Sequence, residues 1–174
     1  MGDNILNVIK KRRSIRKYKK KNVSKDLLLQ LIEAAIWAPS GSNVQPWYFI
    51  IIDNVNTIEQ VSTFSPGLSG NPPSIILICS DRKKAFEKAG ALGRDKLCVM
   101  DISMAAQNIM LLAEEIGLGT CPVKSFNERA ISKILNLPDY VSADLMISLG
   151  YPDEIISAPK RRSVREVTFF NKWG

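Results

Sequence analysis

Apolar residues recur at helical spacing in two parts of the chain. After Ser24, a favourable helix N-cap, apolar side chains return every three or four positions until Pro39, which stops a helix. A longer helical pattern covers residues 96–116, is apolar on nearly every side and ends at Gly117. A helix without a wide polar face is buried in a core or between subunits. With 174 residues available to cover it, we favour a subunit interface.

Continuous apolar runs bounded by turn residues predict the strands. The pattern is typical of buried strands over residues 47–53, 74–80 and 145–149, and of a short extended connection over 119–123. The chain contains no internal repeat, low-complexity tract or linker, so we predict a single domain spanning residues 1–174.

The remaining segments show weaker patterns. Short helices are predicted over residues 4–13, 57–64 and 127–136. The tail after Ile155 is predicted to be extended, and residues 167–170 form a strand candidate without a local partner. We therefore expect this tail to pair with a partner chain.

The net charge of +7 is concentrated at the two ends of the chain. Residues 1–22 contain nine Lys/Arg and one acid, and residues 155–174 contain five Lys/Arg and one acid. Residues 23–154 carry a net charge of −5, and their acidic pair 153–154 is expected to be solvated. Basic ends are compatible with solvated charge, with a nucleic-acid surface or with a local phosphate site.

The chain has no histidine and three cysteines, Cys79, Cys98 and Cys121. The lack of histidine excludes Ser-His-Asp and Cys-His catalysis and most zinc sites. The odd count and wide spacing of the cysteines predict free thiols in a reducing compartment. No apolar signal segment follows the N-terminal basic residues, and no stretch approaches the roughly 18 uninterrupted apolar residues of a membrane helix. We expect a cytoplasmic protein.

Two motifs carry the candidate chemistry. In Arg12-Arg13-Ser14-Ile15-Arg16, arginine forks can bind phosphate bidentately and a serine hydroxyl adds a donor. Residues 39–47, Pro-Ser-Gly-Ser-Asn-Val-Gln-Pro-Trp, place hydroxyl and amide groups between a helix stop and a strand. An amide side chain offers a donor and an acceptor together, which suits the polar edge of a heterocycle. Together the motifs favour a phosphate-bearing cofactor over a polyanion.

The order of these motifs resembles the FMN-dependent nitroreductase family. The resemblance is carried by Arg-Arg-Ser-x-Arg at 12–16 and by Ala-Pro-Ser-x-x-Asn-x-Gln-Pro-Trp at 38–47. Residues 105–121, 147–152 and 159–162 resemble later segments of the family in the same order, so the match spans nearly the whole chain.

The resemblance implies an α+β fold with a central mixed or antiparallel sheet packed by helices. It implies a homodimer across which the C-terminal tail is exchanged, with two FMN sites at the interface, each built from both chains. The chemistry would belong to flavin N5. No residue is therefore assigned a catalytic role, and no metal is expected.

The resemblance also implies the cofactor-binding residues, position by position. The phosphate and ribityl chain would be bound by Arg12, Arg13, Ser14 and Arg16, and by the tail cations Lys160 and Arg162. The partner subunit would supply the residues equivalent to Pro39, Ser40, Ser42, Asn43 and Gln45. The segment near flavin N5 would be Pro122, Val123, Lys124 and Ser125, where some relatives carry Glu-Gly in place of Lys124-Ser125.

The implied activity is ping-pong transfer of hydride from NADH or NADPH, through FMN, to nitroaromatic, quinone or similar electron-poor small molecules. One alternative is a reductive dehalogenase or another divergent flavoenzyme of the same fold. A second is a basic nucleic-acid-binding module, but the acidic body and the lack of aromatic residues among the cations disfavour it. We expect neither a nucleic acid nor a membrane as partner.

Overall fold

The computed structural model describes residues 4–174, and residues 1–3 of the predicted domain lie outside the described part. The helices are α1 (Ile5–Lys11), α2 (Lys25–Ile36), α3 (Val55–Thr63), α4 (Arg82–Leu92), α5 (Cys98–Glu115), α6 (Glu128–Ile134) and α7 (Val164–Val167). A 3-10 turn covers Gly41–Asn43, and a π-helical turn, Gly93–Leu97, joins α4 to α5. The strands are β1 (Trp47–Ile52), β2 (Ser74–Asp81), β3 (Gly119–Val123) and β4 (Val141–Gly150).

The four strands form one sheet in the order β1-β2-β4-β3, and every neighbouring pair is antiparallel. All eight residues of β2 are buried, because β2 lies in the middle of the sheet and both of its faces are covered. On one face, Ile76 and Ile147 belong to a core shared with α2 and α5. On the other face, Leu77 and Met146 belong to a core shared with α3 and α6. The continuous apolar pattern of residues 74–80 reflects this two-sided burial.

The central helix α5 buries one face and exposes another. Its buried face is lined mainly by small and branched residues, including Ile102, Ala105, Ala106, Ile109 and Ala113. Three apolar side chains on its opposite side, Val99, Met100 and Met104, are exposed in the protomer. The helix that the sequence shows to be apolar on nearly every side thus has one face in the core and one face without a partner within residues 4–174.

Within the described part of the chain, one helical run, Arg82–Glu115, is long and apolar enough by length and composition to cross a membrane. This run is broken at Ala89 and Gly90, which have non-helical backbone angles. Its α5 part packs into the core on one face of the sheet. Its apolar character is therefore that of the core helix of this fold.

The structure corrects two parts of the secondary-structure prediction. Helix α4 was not predicted, because it lies on the surface and buries only Ala85, so it lacks an apolar period. The strand candidate at residues 167–170 is wrong. Ser163 and Glu166 form a capping box that starts the short helix α7 instead, and the residues after it are irregular.

Candidate functional site

The basic motif lies along the edge of the sheet. After α1, Arg12 has non-helical backbone angles (φ −50°, ψ 130°), so the chain leaves the helix there. Ser14 forms a parallel bridge with Thr120 of β3, and the Ile15 amide donates to the Thr120 carbonyl at 2.9 Å. Residues 12–16, called the basic segment below, thus continue the sheet beyond β3 with one parallel contact.

A carboxylate from the far end of the chain fixes the end of the basic segment. Glu154 Oε1 accepts hydrogen bonds from the backbone amides of Arg16 at 2.6 Å and Lys17 at 3.0 Å. These bonds, the one from Arg16 first, lower the pKa of Glu154 below its ordinary value. The expectation that this acid is merely solvated is therefore corrected, since Glu154 binds the backbone of the predicted phosphate-binding motif.

Tyr18 holds the middle of the basic segment through a hydrogen bond to its backbone. Its hydroxyl donates to the Ile15 carbonyl at 2.6 Å and lies 2.9 Å from Ser148 Oγ on β4. Ser148 Oγ in turn donates to the Cys121 carbonyl of β3 at 3.3 Å. Burial is the main cause that raises the pKa of the Tyr18 phenol above its ordinary value, so the hydroxyl remains protonated and able to donate.

The three arginines of the basic segment differ in availability. Within residues 4–174, the guanidinium groups of Arg12 and Arg16 pair with no carboxylate. Arg13 folds back onto the end of α1 and donates to the Lys10 carbonyl at 2.6 Å and the Arg12 carbonyl at 2.8 Å. Its Nε atom is buried without a hydrogen-bond partner. Arg16 Nη1 makes only a long hydrogen bond, to the Ser14 carbonyl at 3.4 Å. Two cations without a carboxylate partner in the described part of the chain, Arg12 and Arg16, and the more fully engaged Arg13 therefore line the edge of the sheet.

A glycine-containing loop, residues 65–70, lies against both the basic segment and the end of β3. The Gly67 amide donates to the Ser125 carbonyl at 3.0 Å, and a Cβ at Gly67 would lie 2.9 Å from the Ser125 Cβ. Gly70 has φ +77°, and a Cβ there would lie 1.5 Å from the Arg16 carbonyl oxygen. Only glycine fits at position 70. The structure thus brings the basic segment, this loop and Ser125 close together.

A cavity of about 550 Å³ opens beside the end of β3. It lies between α5 and β4, and its lining includes Lys124, Ile102, Leu145 and the ion pair between Arg82 and Asp144. Its volume falls within the range of roughly 300–1,000 Å³ typical of small-molecule sites. Lys124 also pairs with Glu128 at 2.6 Å, but both side chains are more than half exposed, so this pair is weak and can open.

The amide-rich loop, residues 39–45, has a strained backbone. Ser42, Asn43 and Gln45 have φ values of 51°, 53° and 50°, a region that costs a residue other than glycine about 1–3 kcal/mol. Ser40 Oγ accepts from the Gln45 amide at 3.0 Å, and Asn43 Oδ1 accepts from Gln45 Nε2 at 3.1 Å. Most of the side chains predicted to bind cofactor, namely Pro39, Ser42, Asn43 and Gln45, are exposed. Strain of this kind concentrates at ligand-binding sites.

The amide-rich loop and the basic segment lie at opposite ends of α5. Gly41 of the loop packs against Leu97 and donates to Asp101, at the start of α5. The basic segment pairs with Thr120, just beyond the other end of the helix. From Asp101 to Ile116 the helical rise alone amounts to about 22 Å. The structure therefore does not bring these two sets of predicted residues together within one protomer.

The C-terminal tail is exposed along its whole length after Ser157. Lys160 lies within it, and Arg162 donates to the Glu166 carbonyl of the same tail at 2.8 Å. Two aromatic residues further on, Phe170 and Trp173, are each 86% exposed. The tail and the outer face of α5 thus present apolar side chains that the protomer itself does not cover.

The available donor groups fit a phosphate-bearing cofactor. Arg12 and Arg16 supply unpaired cations at the edge of the sheet, and burial leaves Arg13 Nε with an unused proton. Gly67 and Gly70 let the neighbouring backbone approach closely where any side chain would collide. The cavity lined by Lys124, the residue before Ser125, could receive a flat ring system.

Comparison with known proteins decides the family. The sequence model of the Nitroreductase family matches residues 9–68 and 64–151, which together make up most of the chain. The chain belongs to the nitroreductase family. A protein of Methanothermobacter thermautotrophicus, whose name places it among NADH dehydrogenases and NAD(P)H nitroreductases, is 33% identical over 156 residues. That match covers 86% of this chain and 78% of the relative.

Two solved structures of nitroreductases share this fold. A nitroreductase family protein from Clostridium difficile 630 is 28% identical with a TM-score of 0.88, over 98% of this chain and 100% of that one. An FMN-dependent nitroreductase from Clostridium difficile R20291 is 29% identical with a TM-score of 0.82, over 97% and 99%. The predictions of family, of an α+β nitroreductase fold and of an oxidoreductase are confirmed.

Sequence reasoning missed three residues that contact the backbone of the candidate site. Glu154 and Tyr18 fix the basic segment, and Asp101 contacts the amide-rich loop. Their contacts join positions far apart in the sequence, so no local pattern marks them. One signal was available for Asp101, because it is the single charged residue in the first half of α5.

Proposed function

We propose that this nitroreductase is an FMN-dependent oxidoreductase that uses NADH or NADPH to reduce nitroaromatic, quinone or similar electron-poor small molecules. The observation that carries the proposal is the meeting of the basic segment, the glycine-containing loop and Ser125, whose neighbour in the chain, Lys124, lines a cavity of about 550 Å³. The name of the FMN-dependent relative from Clostridium difficile supports the cofactor, and that of the archaeal relative supports the donor.

Each part of the chain has a distinct task in this proposal. The guanidinium groups of Arg12 and Arg16, with the Ser14 hydroxyl, bind the phosphate and ribityl chain, because both cations are unpaired. Arg13, Lys160 and Arg162 add positive charge around the same dianion. Backbone groups of residues 122–125 border the ring system, and Lys124 offers a cation there that can stabilise negative charge on a reduced ring.

When bound, the flavin supplies a ping-pong exchange of hydride between the nicotinamide donor and the acceptor. The protein's residues bind the two substrates in turn at the cavity and keep the ring oriented toward it. The cavity combines apolar side chains, Val99, Ile102 and Leu145, with charged ones such as Arg82 and Asp144, and its apolar part suits flat aromatic acceptors. No side chain need donate or accept a proton in this scheme, in agreement with the lack of histidine.

The proposed active form is a homodimer. Pro39, Ser40, Ser42, Asn43 and Gln45 lie too far from the basic segment of their own protomer to share one cofactor with it. A two-fold axis across α5 would bring the loop of each protomer to the basic segment of the other. The exposed apolar face of α5 and the exposed aromatic tail supply surfaces for such an interface, including tail exchange.

We propose the cytoplasm as the compartment. All three cysteines are buried free thiols, and burial raises the pKa of Cys79 to about 12 and also raises that of Cys98. Reduced, unreactive thiols suit a reducing environment. We propose no nucleic-acid or membrane partner, since the cations of the basic segment are assigned to the cofactor.

The spectrum and turnover of the purified protein test the proposed function. We expect flavin absorption near ~370 and ~450 nm, one FMN per chain, and bleaching on anaerobic addition of NADH or NADPH. Adding a nitroaromatic or a quinone should restore the spectrum, with parallel double-reciprocal plots. A colourless protein that takes up no FMN would contradict the proposal. If a halogenated phenol is turned over and nitro compounds are not, the dehalogenase alternative would be favoured. A salt-dependent shift in the electrophoretic mobility of DNA would favour the nucleic-acid alternative.

A further inference from the structure

A buried carboxylate in α5 has no part in the function proposed so far. Asp101 is only 3% exposed, and its neighbours in the helix belong to the apolar core. Asp101 Oδ1 accepts one hydrogen bond, from the backbone amide of Gly41 at 3.1 Å. A buried carboxyl in a mostly apolar setting is expensive to keep, so its presence calls for a role.

The usual reason for an acid early in a helix does not apply to Asp101. Acids are favoured where a helix begins, because the first amides there lack partners and carry partial positive charge. Here α5 continues directly from the π-helical turn Gly93–Leu97, and the break in the helical run lies further back, at Ala89 and Gly90, so the amides near Asp101 are not at a free helix end. The helix itself thus gives Asp101 no electrostatic advantage.

The contact made by Asp101 falls on the strained loop. Gly41 begins the 3-10 turn, whose other two residues, Ser42 and Asn43, both have positive φ. A run of left-handed residues persists only when the surrounding structure restrains it. From outside the loop, Leu97 packs at Gly41 and Asp101 accepts its amide, so this one hydrogen bond sets where the turn starts relative to α5.

We infer that Asp101 is a positioning residue for the cofactor site of the partner subunit: its carboxylate fixes the amide-rich loop in the conformation that meets the flavin bound by the other protomer. The inference rests on the proposed function. It assigns to Asp101 an effect on the partner's site and not on its own chain's basic segment, which lies beyond the other end of α5, about 22 Å of helical rise from Asp101. The essential property is an acceptor oxygen at Gly41 and not the negative charge.

Three substitutions separate positioning from general stability. We expect Asp101→Ala to weaken FMN binding to the holoenzyme dimer at least tenfold, measured by the fluorescence of flavin released on dilution. Asp101→Asn retains an acceptor oxygen and should stay within about threefold of wild type. The matched control is Glu115→Ala in the last turn of the same helix, which should leave FMN affinity unchanged. Equal affinity of Asp101→Ala and wild type would overturn the inference.

A mixed dimer tests the subunit assignment. One protomer carries Arg12→Ala and the other Asp101→Ala, with different tags for purification. In the proposed arrangement, one site of this heterodimer combines an intact basic segment with an intact loop. It should therefore bind one FMN per dimer with wild-type affinity. If Asp101 acted within its own protomer, neither site would be intact and no tight FMN would remain, which would overturn the assignment.

The outcomes also distinguish this inference from the proposed function. Failure of the wild-type protein to bind FMN would refute the function, whereas wild-type binding that Asp101→Ala leaves intact would refute only the role of Asp101. Amide exchange of the wild-type protein gives an independent check should Asp101→Ala fail to fold. The Gly41 amide should exchange at least 100-fold more slowly than an unprotected amide, and unprotected exchange would contradict the anchor.

Discussion

The two halves of the candidate site are kept in place by different physical means. The basic segment has a relaxed, extended backbone that pairs with β3. Glu154 accepts a hydrogen bond from its Arg16 amide, and Tyr18 donates one to its Ile15 carbonyl. The amide-rich loop contains three left-handed residues and is tied to α5 through Gly41 and Asp101. Extended pairing needs little enforcement, whereas a strained turn depends on a few contacts. Perturbations should therefore spread differently through the two halves.

The largest effect is expected from Gly70→Ala. A Cβ at this position overlaps the Arg16 carbonyl, so the basic segment must move away from the loop. We expect a loss of about 3 kcal/mol in the free energy of unfolding beyond the strain of a positive φ, together with loss of flavin. Urea unfolding and flavin content measure both.

Gly117→Ala is the matched control for Gly70→Ala. Gly117 has the same φ of +77°, but no atom lies within 4 Å of the position a Cβ would take. Its substitution should cost only the backbone strain, about 1 kcal/mol. Equal destabilisation by the two substitutions would show that steric contact with the basic segment is unimportant.

The next largest effect is expected from Arg12→Ala on FMN binding. Loss of a charge-assisted hydrogen bond to phosphate is worth about 1.5–3 kcal/mol, so affinity should fall about 10- to 100-fold. Riboflavin, which lacks the phosphate, should bind wild type and variant alike. Arg161→Ala, an exposed tail cation outside the predicted site, is the control. Equal losses for FMN and riboflavin would contradict a phosphate contact.

A smaller effect is expected from Tyr18→Phe. The variant loses the hydrogen bond to the Ile15 carbonyl, which should lower the free energy of unfolding by about 1 kcal/mol. Tyr48→Phe serves as the control, because Tyr48 is 51% exposed on the edge strand β1. Thermal unfolding of both variants checks this. A larger loss for Tyr48→Phe would show that the phenol beneath the basic segment contributes little.

The smallest effects concern pH, and the two anchoring carboxylates should respond in opposite directions. Hydrogen bonds lower the pKa of Glu154, so its stabilisation is complete above the ordinary glutamate pKa and is lost as pH falls through the lowered value. Burial is the main cause that raises the pKa of Asp101, so its charge reduces stability as pH rises toward neutrality.

Two amide variants separate these effects. Protonation of Glu154 in acid weakens its hold on the basic segment, so flavin affinity should fall as pH falls, and Glu154→Gln should make this fall smaller. Asp101→Asn should raise the free energy of unfolding at pH ~7, by an amount that becomes smaller in acid. Flavin affinity and urea unfolding between pH ~4 and ~7 measure them. An acid response of flavin affinity that persists in Glu154→Gln would exclude Glu154 as its source.

Much of this architecture could be predicted from the sequence. Apolar periodicity and capping residues placed α2, β1, β2 and α5, because each buries a continuous face. Helix α4 escaped prediction because a surface helix carries little apolar signal. The first half of β4 was also not predicted, because Ser142 and Asp144 interrupt its apolar run. At residues 167–170 the β-branched and aromatic composition was misleading, since local capping by Ser163 and Glu166 set the conformation just before them.

The site could be predicted in part. The basic segment was marked by its own chemistry and residues 122–125 by the family resemblance, and the structure brings that segment and Ser125 to one loop. The anchors of the basic segment and of the amide-rich loop were not predicted, because Glu154 and Asp101 accept from backbone amides 138 and 60 positions away. A backbone amide leaves no trace in the sequence, so a side chain that binds one cannot be paired with it by inspection.

The length of α5 has a consequence for how the enzyme would behave at low concentration. In the proposed dimer, one half of each pocket would lie at either end of this helix, so an isolated chain would carry two incomplete pockets and no complete one. On this proposal, retention of FMN would depend on the protein concentration, since FMN and the second chain would each stabilise the binding of the other. Turnover per chain should fall on dilution and recover with added FMN, as expected of an enzyme whose active site forms only when two chains associate.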